Sequence, residues 1–270
     1  MPPKMMAHAR DAARTYGKSD PIDALAVARA AWREPDLPLA RLDGPARDPR
    51  LLIGHREDLV RDGVAQINRL RWHLHELDPS WDPAPRSLAR FTALDAVAAR
   101  LEGLGGTVAF IARDLLARIR ELTVAANDLE RRIVATVSEL APTLLALRGV
   151  GALTAAKILA ETADVRRFRS KDCLARHNGT APLPVWSGNK IRHRLSRTGN
   201  RQLNTARHRA AVTQIRIHGP ARDYLERRIA MGNTKTEALR ALKRRLSDVV
   251  YRALLADAER VAPAVAEQAA

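Results

Sequence analysis

Cysteine is almost missing from this chain: Cys173 is the only one in 270 residues. That excludes an intrachain disulfide and a thiolate zinc cage. Set beside Leu174 and Ala175, the lone thiol is expected to be a small buried apolar side chain rather than a nucleophile. Long apolar runs are also missing. None approaches the roughly 20 residues that a membrane span needs, and Met1-Pro2-Pro3-Lys4 lacks the apolar stretch of a secretory leader. These absences predict a soluble cytoplasmic protein with no membrane partner.

Acid is the third scarcity. The chain carries 46 Lys+Arg against 30 Asp+Glu, a net charge of +16 and a pI near 11.1. A ribosomal protein, a cationic membrane binder or an Arg-rich proteome would give a similar total, but not the clustering. From Lys190 to Arg222 there is no Asp or Glu. The same stretch holds nine Lys/Arg (190, 192, 194, 197, 201, 207, 209, 216, 222) with His193, His208 and His218. Elsewhere the signs are interspersed, as in Arg56-Glu57-Asp58, the habit of a solvated helical face. A segment of unopposed cations attracts polyanions, and nucleic acid is the commonest of these.

Length suits one large domain or two to three small ones. A helix is predicted from Pro21 to about Arg33, entered through Lys18-Ser19-Asp20. Residues 35–50, opening Pro35-Asp36-Leu37-Pro38, read as a linker. Ile53, Val60, Ile67 and Leu74 then repeat every seven residues, supported by Leu70 and Leu77. Asp78-Pro79-Ser80-Trp81-Asp82-Pro83 interrupts them. A second series follows: Leu101, Val108, Leu115, Leu122 and Leu129, joined by Leu104, Ile111, Ile119, Ala126, Ile133 and Leu140. Two heptad series predict an antiparallel helical hairpin, a self-associating coiled coil, or helices of one bundle core; periodicity does not choose among them. After Ala141-Pro142 the predicted helices are Thr154 to about Thr162, 171–177, 199–217, 220–230 and 235–257. Residues 178–190, rich in Gly, Pro, Ser and Asn, read as a loop, and the tail from Arg260 has no assigned role. The fold class is mainly α.

Three places carry candidate chemistry. Asp20 and Asp23, three apart at a helix start, share one face and can ligate Mg²⁺; equally, Asp20 as N-cap, Pro21 at the first position and Asp23 at the third is ordinary helix-start chemistry. Gly149-Val150-Gly151, followed by Thr154, gives a tight turn leading into a helix whose free N–H groups suit a phosphate, the grip of a helix-hairpin-helix module. An ordinary turn between helices has the same spacing. Ser187, before Gly188 and beside Lys190, can attack a phosphodiester with neighbouring arginines stabilising the transition state; a turn serine is the plain alternative. Ser196 is a rival that reads as a helix cap or phosphate contact. The eight histidines form no metal-ligand spacing.

Taken in order, the pieces gain specificity. Gly-Lys-Ser-Asp-Pro-Ile-Asp-Ala (17–24) is followed by Gly-Val-Gly with Thr-Ala-Ala-Lys-Ile-Leu-Ala-Glu (149–161) and Arg-Phe-Arg-Ser (167–170). Then come His-Asn-Gly-Thr-Ala-Pro-Leu-Pro-Val-Trp-Ser-Gly (177–188), Leu-Ser-Arg-Thr-Gly-Asn-Arg-Gln-Leu-Asn (195–204) and Ala-Leu-Arg-Ala-Leu-Lys-Arg-Arg-Leu-Ser-Asp (238–248). This set, from about residue 14 to 257, resembles the insertion-sequence transposases called the IS-one-ten family. The resemblance implies an N-terminal RuvC-like domain with four acids, a coiled-coil segment and a C-terminal domain with a catalytic serine. It also implies site-specific recombination of DNA directed by a structured guide RNA. On it, Asp20 and Asp23 correspond to the third and fourth acids, which would hold Mg²⁺, and Ser187 to the nucleophile. Charge adds Arg192, Arg194, Arg197 and Arg201 as phosphate contacts.

The expected organisation is a remnant of the RuvC-like domain at 1–35 and a helical segment at 36–141, through which the chain forms a homo-oligomer. A serine-bearing DNA-binding domain at 142–257, with a helix-hairpin-helix-like element, and a tail at 258–270 complete it. Only 19 residues precede Asp20, and Asp11 and Glu34 match neither upstream acid motif, so the acidic site is expected to be incomplete: a shortened element, a mis-assigned start or a split frame. The alternative functions are a non-catalytic nucleic-acid-binding helix-hairpin-helix protein and, further off, a repair nuclease or junction-binding factor.

Overall fold

A computed structural model describes residues 3–12, 19–34, 43–188, 190–194, 196 and 199–268. It divides into two compact units, Met1–Leu42 and Asp43–Ala270.

The first unit contains α1 (Pro3–Asp11) and α2 (Asp20–Arg33). The predicted α2 is there, whereas α1 has too little periodicity to be read from sequence. Met6 and Ala9 on α1 pack on Ala26 and Ala30 of α2. The helix cap differs from expectation: Ser19 holds the extended N-cap position, and Asp20 is already the first helical residue.

The second unit starts with two long helices, α3 (Arg47–Leu77) and, after α4 (Phe91–Glu102), α5 (Gly106–Leu140). Residues near the start of α3 meet residues near the end of α5, so the pair is antiparallel. Arg56 Nη2 donates to Glu130 Oε2 at 2.7 Å, and Ile53 lies in one core with Ile133 and Val137. At the opposite end Leu70 and Leu74 pack with Leu115, Leu116 and Ile119 beneath Leu94, Val97 and Leu101 of α4. The second heptad series is not one helix. Leu101 closes α4, the chain breaks at Gly103-Leu104-Gly105, and Val108 begins the next helix. Midway along the hairpin, from 54 to 69 on α3 and 120 to 132 on α5, Ala126 alone is buried. Val60 and Val64 are exposed there.

The remainder forms a helical head: α6 (Pro142–Leu145), α7 (Ala152–Thr162), α8 (Lys171–His177), α9 (Arg201–Arg216), α10 (Pro220–Ala230) and α11 (Lys235–Gln268). Ser170 caps α8 by accepting from the Cys173 N–H at 3.3 Å. Pro220 opens α10 after Gly219, where its missing N–H costs nothing. Thr234 and Glu237 form a reciprocal capping box at α11, with Thr234 N to Glu237 Oε2 at 2.9 Å and Glu237 N to Thr234 Oγ1 at 3.3 Å. Leu144, Ile158, Leu174, Leu203, Leu242, Leu246 and Val250 make the core.

Three expectations need correction. The expected loop at 178–190 is partly strand: β1 (Leu183–Ser187) and β2 (Lys190–Arg194) form an antiparallel hairpin. α11 runs on through the tail to Gln268 rather than stopping near 257. Cys173 is exposed, because it follows Lys171 and Asp172 on the solvent side of α8.

Asp257 closes the head. This buried carboxylate accepts from the N–H groups of Thr143 at 2.9 Å and Leu144 at 3.0 Å. The last helix thereby satisfies two of the orphan donors at the start of α6.

Candidate functional site

The hairpin register fixes where the candidate serine lies. Leu183 pairs with Arg194 at the foot, Val185 with Arg192 midway, and Ser187 with Lys190 beside the turn. Ser187 therefore sits at the tip of β1, with Lys190, Arg192 and Arg194 at alternate positions of the returning strand. Arg201 opens α9 and is exposed. Arg197 lies outside the described residues.

Both feet of this hairpin are tied into the head by the polar residues of the ordered motifs. The Asn200 N–H donates to the His177 carbonyl at 2.7 Å. A Cβ on Gly199 would collide with the Gly179 backbone, so only glycine allows the two feet to approach this closely. Asn178 is fully buried; its amide donates to Ser247 on α11 at 2.9 Å and accepts from the Thr180 N–H at 3.0 Å. Asn200 caps α9 through Leu203 N at 2.9 Å and donates to Glu161 on α7 at 2.6 Å. Lys243 Nζ on α11 donates to Asn204 at 2.5 Å. Residues as far apart in sequence as Asn178 and Ser247 thus meet beneath one small hairpin. Asn200, not Ser196, is the α9 cap, and Ser196 is buried.

One cation of the basic segment is not on the surface. Arg207 is fully buried, and among the described residues its Nε, Nη1 and Nη2 all lack a hydrogen-bond partner. Burial pushes its guanidinium down to about 9. Lys243 is lowered first by burial, then by Arg240 and Arg207. The His177 imidazole is lowered by burial and by Arg167, with Phe168 tilted against it at 5.2 Å. Sequence reasoning counted Arg207 as part of a binding surface. The signal against that was available: with Leu203, Ala206 and Ala210 it falls on the buried stripe of α9.

The Gly149–Gly151 turn looks inward at its first glycine. Gly149 has φ +74°, and a Cβ there would stand 2.8 Å from the Ala210 carbonyl of α9. Gln214 Nε2 also donates to the Arg148 carbonyl at 2.6 Å. Close packing thus gives this glycine an ordinary structural reason. Gly151 is the exposed N-cap of α7, and Thr154 is half-buried in its first turn.

Asp20 is exposed, and Asp23 accepts from Arg10 Nη1 on α1 at 3.3 Å. Among the described residues no three His, Cys, Asp or Glu side chains cluster around a common point. Two carboxylates, one engaged by an arginine, do not by themselves fit a catalytic Mg²⁺ centre.

The polypeptide is similar to transposases at both ends. Residues 1–79 match a DEDD transposase model of IS110 type, and residues 141–226 match the model described as transposase IS116/IS110/IS902 family. It is 30% identical to the uncharacterised 44.8 kDa protein of insertion element IS116 from Streptomyces clavuligerus, over 92% of this chain and 73% of that protein. It is 27% identical to the uncharacterised 43.6 kDa protein of IS110 from Streptomyces coelicolor, over 89% of this chain and 71% of the relative. With the uncharacterised 42 kDa protein of IS900 from Mycobacterium paratuberculosis it shares 29%, over 100% of this chain and 79% of the relative. The class is thus the insertion-element transposase, a mobile-element protein whose partner is DNA. Within that class the chain belongs to the IS116/IS110/IS902 family. No helix among the described residues is long and apolar enough to cross a membrane.

Proposed function

We propose that the chain acts on DNA through Ser187, exchanging one phosphodiester for another. The Ser187 oxygen attacks phosphorus, forming a serine–phosphate bond as the bond to a sugar oxygen breaks. That sugar leaves as a hydroxyl, carrying the serine proton. A second sugar hydroxyl then displaces the serine and restores its O–H, so the strand is rejoined without an external energy source. The observation that carries this reading is the register of β1 and β2, with Ser187 beside the turn, Lys190 opposite and a cation at each alternate position of β2. Lys190, Arg192, Arg194, Arg197 and Arg201 are then the groups that neutralise the phosphates, and Gly151 with Thr154 offers a further helix-terminus contact.

The same proposal includes a structured guide RNA that selects the DNA, and a homo-oligomer formed through the helical hairpin. Exposed Val60, Val64, Trp72, Phe110, Val124 and Val134 support self-association, since so many large apolar groups on one helix pair favour burial against a second copy. Asp20 and Asp23 would take part in holding a Mg²⁺ ion only if further acids joined them. The hold of Arg10 on Asp23 favours a second reading, a non-catalytic nucleic-acid-binding protein of transposase ancestry.

The test is an adduct assay. The protein is incubated with labelled junction DNA and guide RNA, then denatured. A covalent protein–DNA species is expected in the wild type and not in Ser187→Ala. An adduct that persists in Ser187→Ala removes the serine assignment, and salt-sensitive binding with no adduct in either protein selects the second reading.

A further inference from the structure

Beside the foot of the hairpin lies a cleft of about 850 Å³, lined by α8, the 179–182 segment, β2, α10 and α11. Six cations line it, Lys171, Arg228, Arg240, Lys243, Arg244 and Arg245, against two carboxylates, Glu237 and Asp248. Those carboxylates are already engaged. Glu237 caps α11 through Thr234, and Asp248 pairs with Arg244, which also holds Asp172. Lys243 is met by the neutral oxygen of Asn204, and neither Lys171, Arg240 nor Arg245 has an ion pair among the described residues.

Two further observations point to an anionic ligand. The Arg228 Nε and the Thr180 Oγ1, both from residues lining the cleft, are buried without a hydrogen-bond partner. Behind Lys243 stands Arg207, fully buried with all three nitrogens unpartnered. An uncompensated buried guanidinium destabilises a protein, and here its field adds to that of the cleft. A folded protein built only for stability would fill this volume with carboxylates or apolar groups.

We infer that this cleft binds a backbone phosphate of a nucleic-acid strand, at a position distinct from the phosphate attacked at the hairpin tip. The inference rests on the transposase reading above and adds a second anchoring point to it. Hairpin geometry sets the separation. His193, which lines the cleft, pairs with Pro184. Ser187 lies three residues further along β1, about 10 Å at roughly 3.3 Å per residue. A phosphate in the cleft therefore holds the strand close to the reacting bond and limits which phosphate reaches the tip. Thr180 and Arg228 supply neutral and charged donors; Lys171, Arg240 and Arg245 supply the outer charge.

The experiment measures binding by fluorescence anisotropy over a salt series, using full-length protein with duplex DNA, single-stranded DNA and an RNA hairpin of equal length. The variants are Lys171→Ala/Arg240→Ala, both exposed on the cleft rim, and Arg131→Ala on α5 as a charge-matched control for one cation. The double variant is expected to bind at least tenfold more weakly. Its slope of log affinity against log salt should fall by about one to two units, while Arg131→Ala leaves both unchanged. A loss confined to DNA or to RNA names the strand that occupies the cleft. If the wild type binds with a clear salt dependence and the double variant matches it, the cleft inference fails and the hairpin reading stands. If the wild type shows no salt-dependent binding to any probe, both fail. As a second readout, nucleic acid is expected to protect Lys171 from amine acetylation, and unchanged labelling counts against the cleft.

Discussion

The long hairpin and the head are built from similar helices and treat charge in opposite ways. On the hairpin, acids and bases alternate along the surface and meet there, as in Arg131–Asp128, Arg118–Asp114 and Arg61–Asp58. The cores at its two ends are apolar. In the head, Thr162, Asn178, Ser196, Arg207, Ser247 and Asp257 are buried, and one cleft wall gathers cations whose acids are used elsewhere. Burying polar groups lowers stability unless each is satisfied. The hairpin therefore has the character of a scaffold, whereas the head gives up stability to hold a defined polar arrangement beneath the β-hairpin. That difference makes four predictions, taken from the largest effect to the smallest.

Asp257→Ala should lower stability by roughly 3 kcal/mol, because the buried Leu144 N–H loses a charged acceptor and keeps no substitute. Chemical denaturation of the full chain measures it, and a change below a third of that would mean the α6 terminus finds water instead. Arg207→Met should act in the opposite direction. Replacing an unpaired buried charge with an apolar side chain of similar length should stabilise by about 2 kcal/mol, raising Tm by several degrees in a unit of this size. A fall in Tm would show that Arg207 has a native partner and would erase the contrast with the hairpin.

The third prediction concerns pH. His177 has its folded pKa held below the ordinary 6.5 by burial and by Arg167. Below 6.5 the unfolded chain takes up a proton that the folded head refuses, so stability is full above 6.5 and declines as pH falls towards the folded value. Head unfolding followed at pH 7.5 and 5.5 should show this decline, and His177→Gln should flatten it. The smallest effect belongs to the hairpin: Arg131→Ala breaks an exposed i, i+3 pair and should cost less than about 0.5 kcal/mol.

Much of the head's helix content was legible because its punctuation is local. Ser170 before Lys171, Gly219 before Pro220 and Thr234 with Glu237 are caps or breaks that act within three residues, so α8 and α10 were read with their observed bounds. The β-hairpin was not legible. Pro184 and Trp186 alternate with Leu183 and Val185, and β2 alternates cations with Ile191 and His193. Neither strand therefore shows the apolar period that marks a half-buried sheet, and the Gly, Pro and Asn content resembles loop. Heptads revealed helices but not their partners or the break at 103–105, since Leu101 and Val108 keep the period across it. At the candidate site, Ser187 and its arginines were visible as residue types. The supports were not, because Asn178, Asn200, Asn204 and Ser247 act through contacts between helices far apart in sequence. Charge counting also could not reveal that Arg207 is removed from solvent, although its place on the α9 stripe was a usable clue.

The Asp257 cap has one more consequence, which concerns the order of assembly. The two strokes of the hairpin lie near each other in sequence and can form while the chain is still being made. The head cannot close in that way: α6 at residues 142–145 waits for an acceptor more than 110 residues later, and α8 and α9 wait for Ser247 and Lys243 on the same final helix. Until α11 leaves the ribosome the start of α6 is synthesised without its buried acid. Loop closure over such a separation is slow, so the nascent chain passes through a stage with a finished scaffold and an open, cationic end. The cleft is thereby completed only with the last helix.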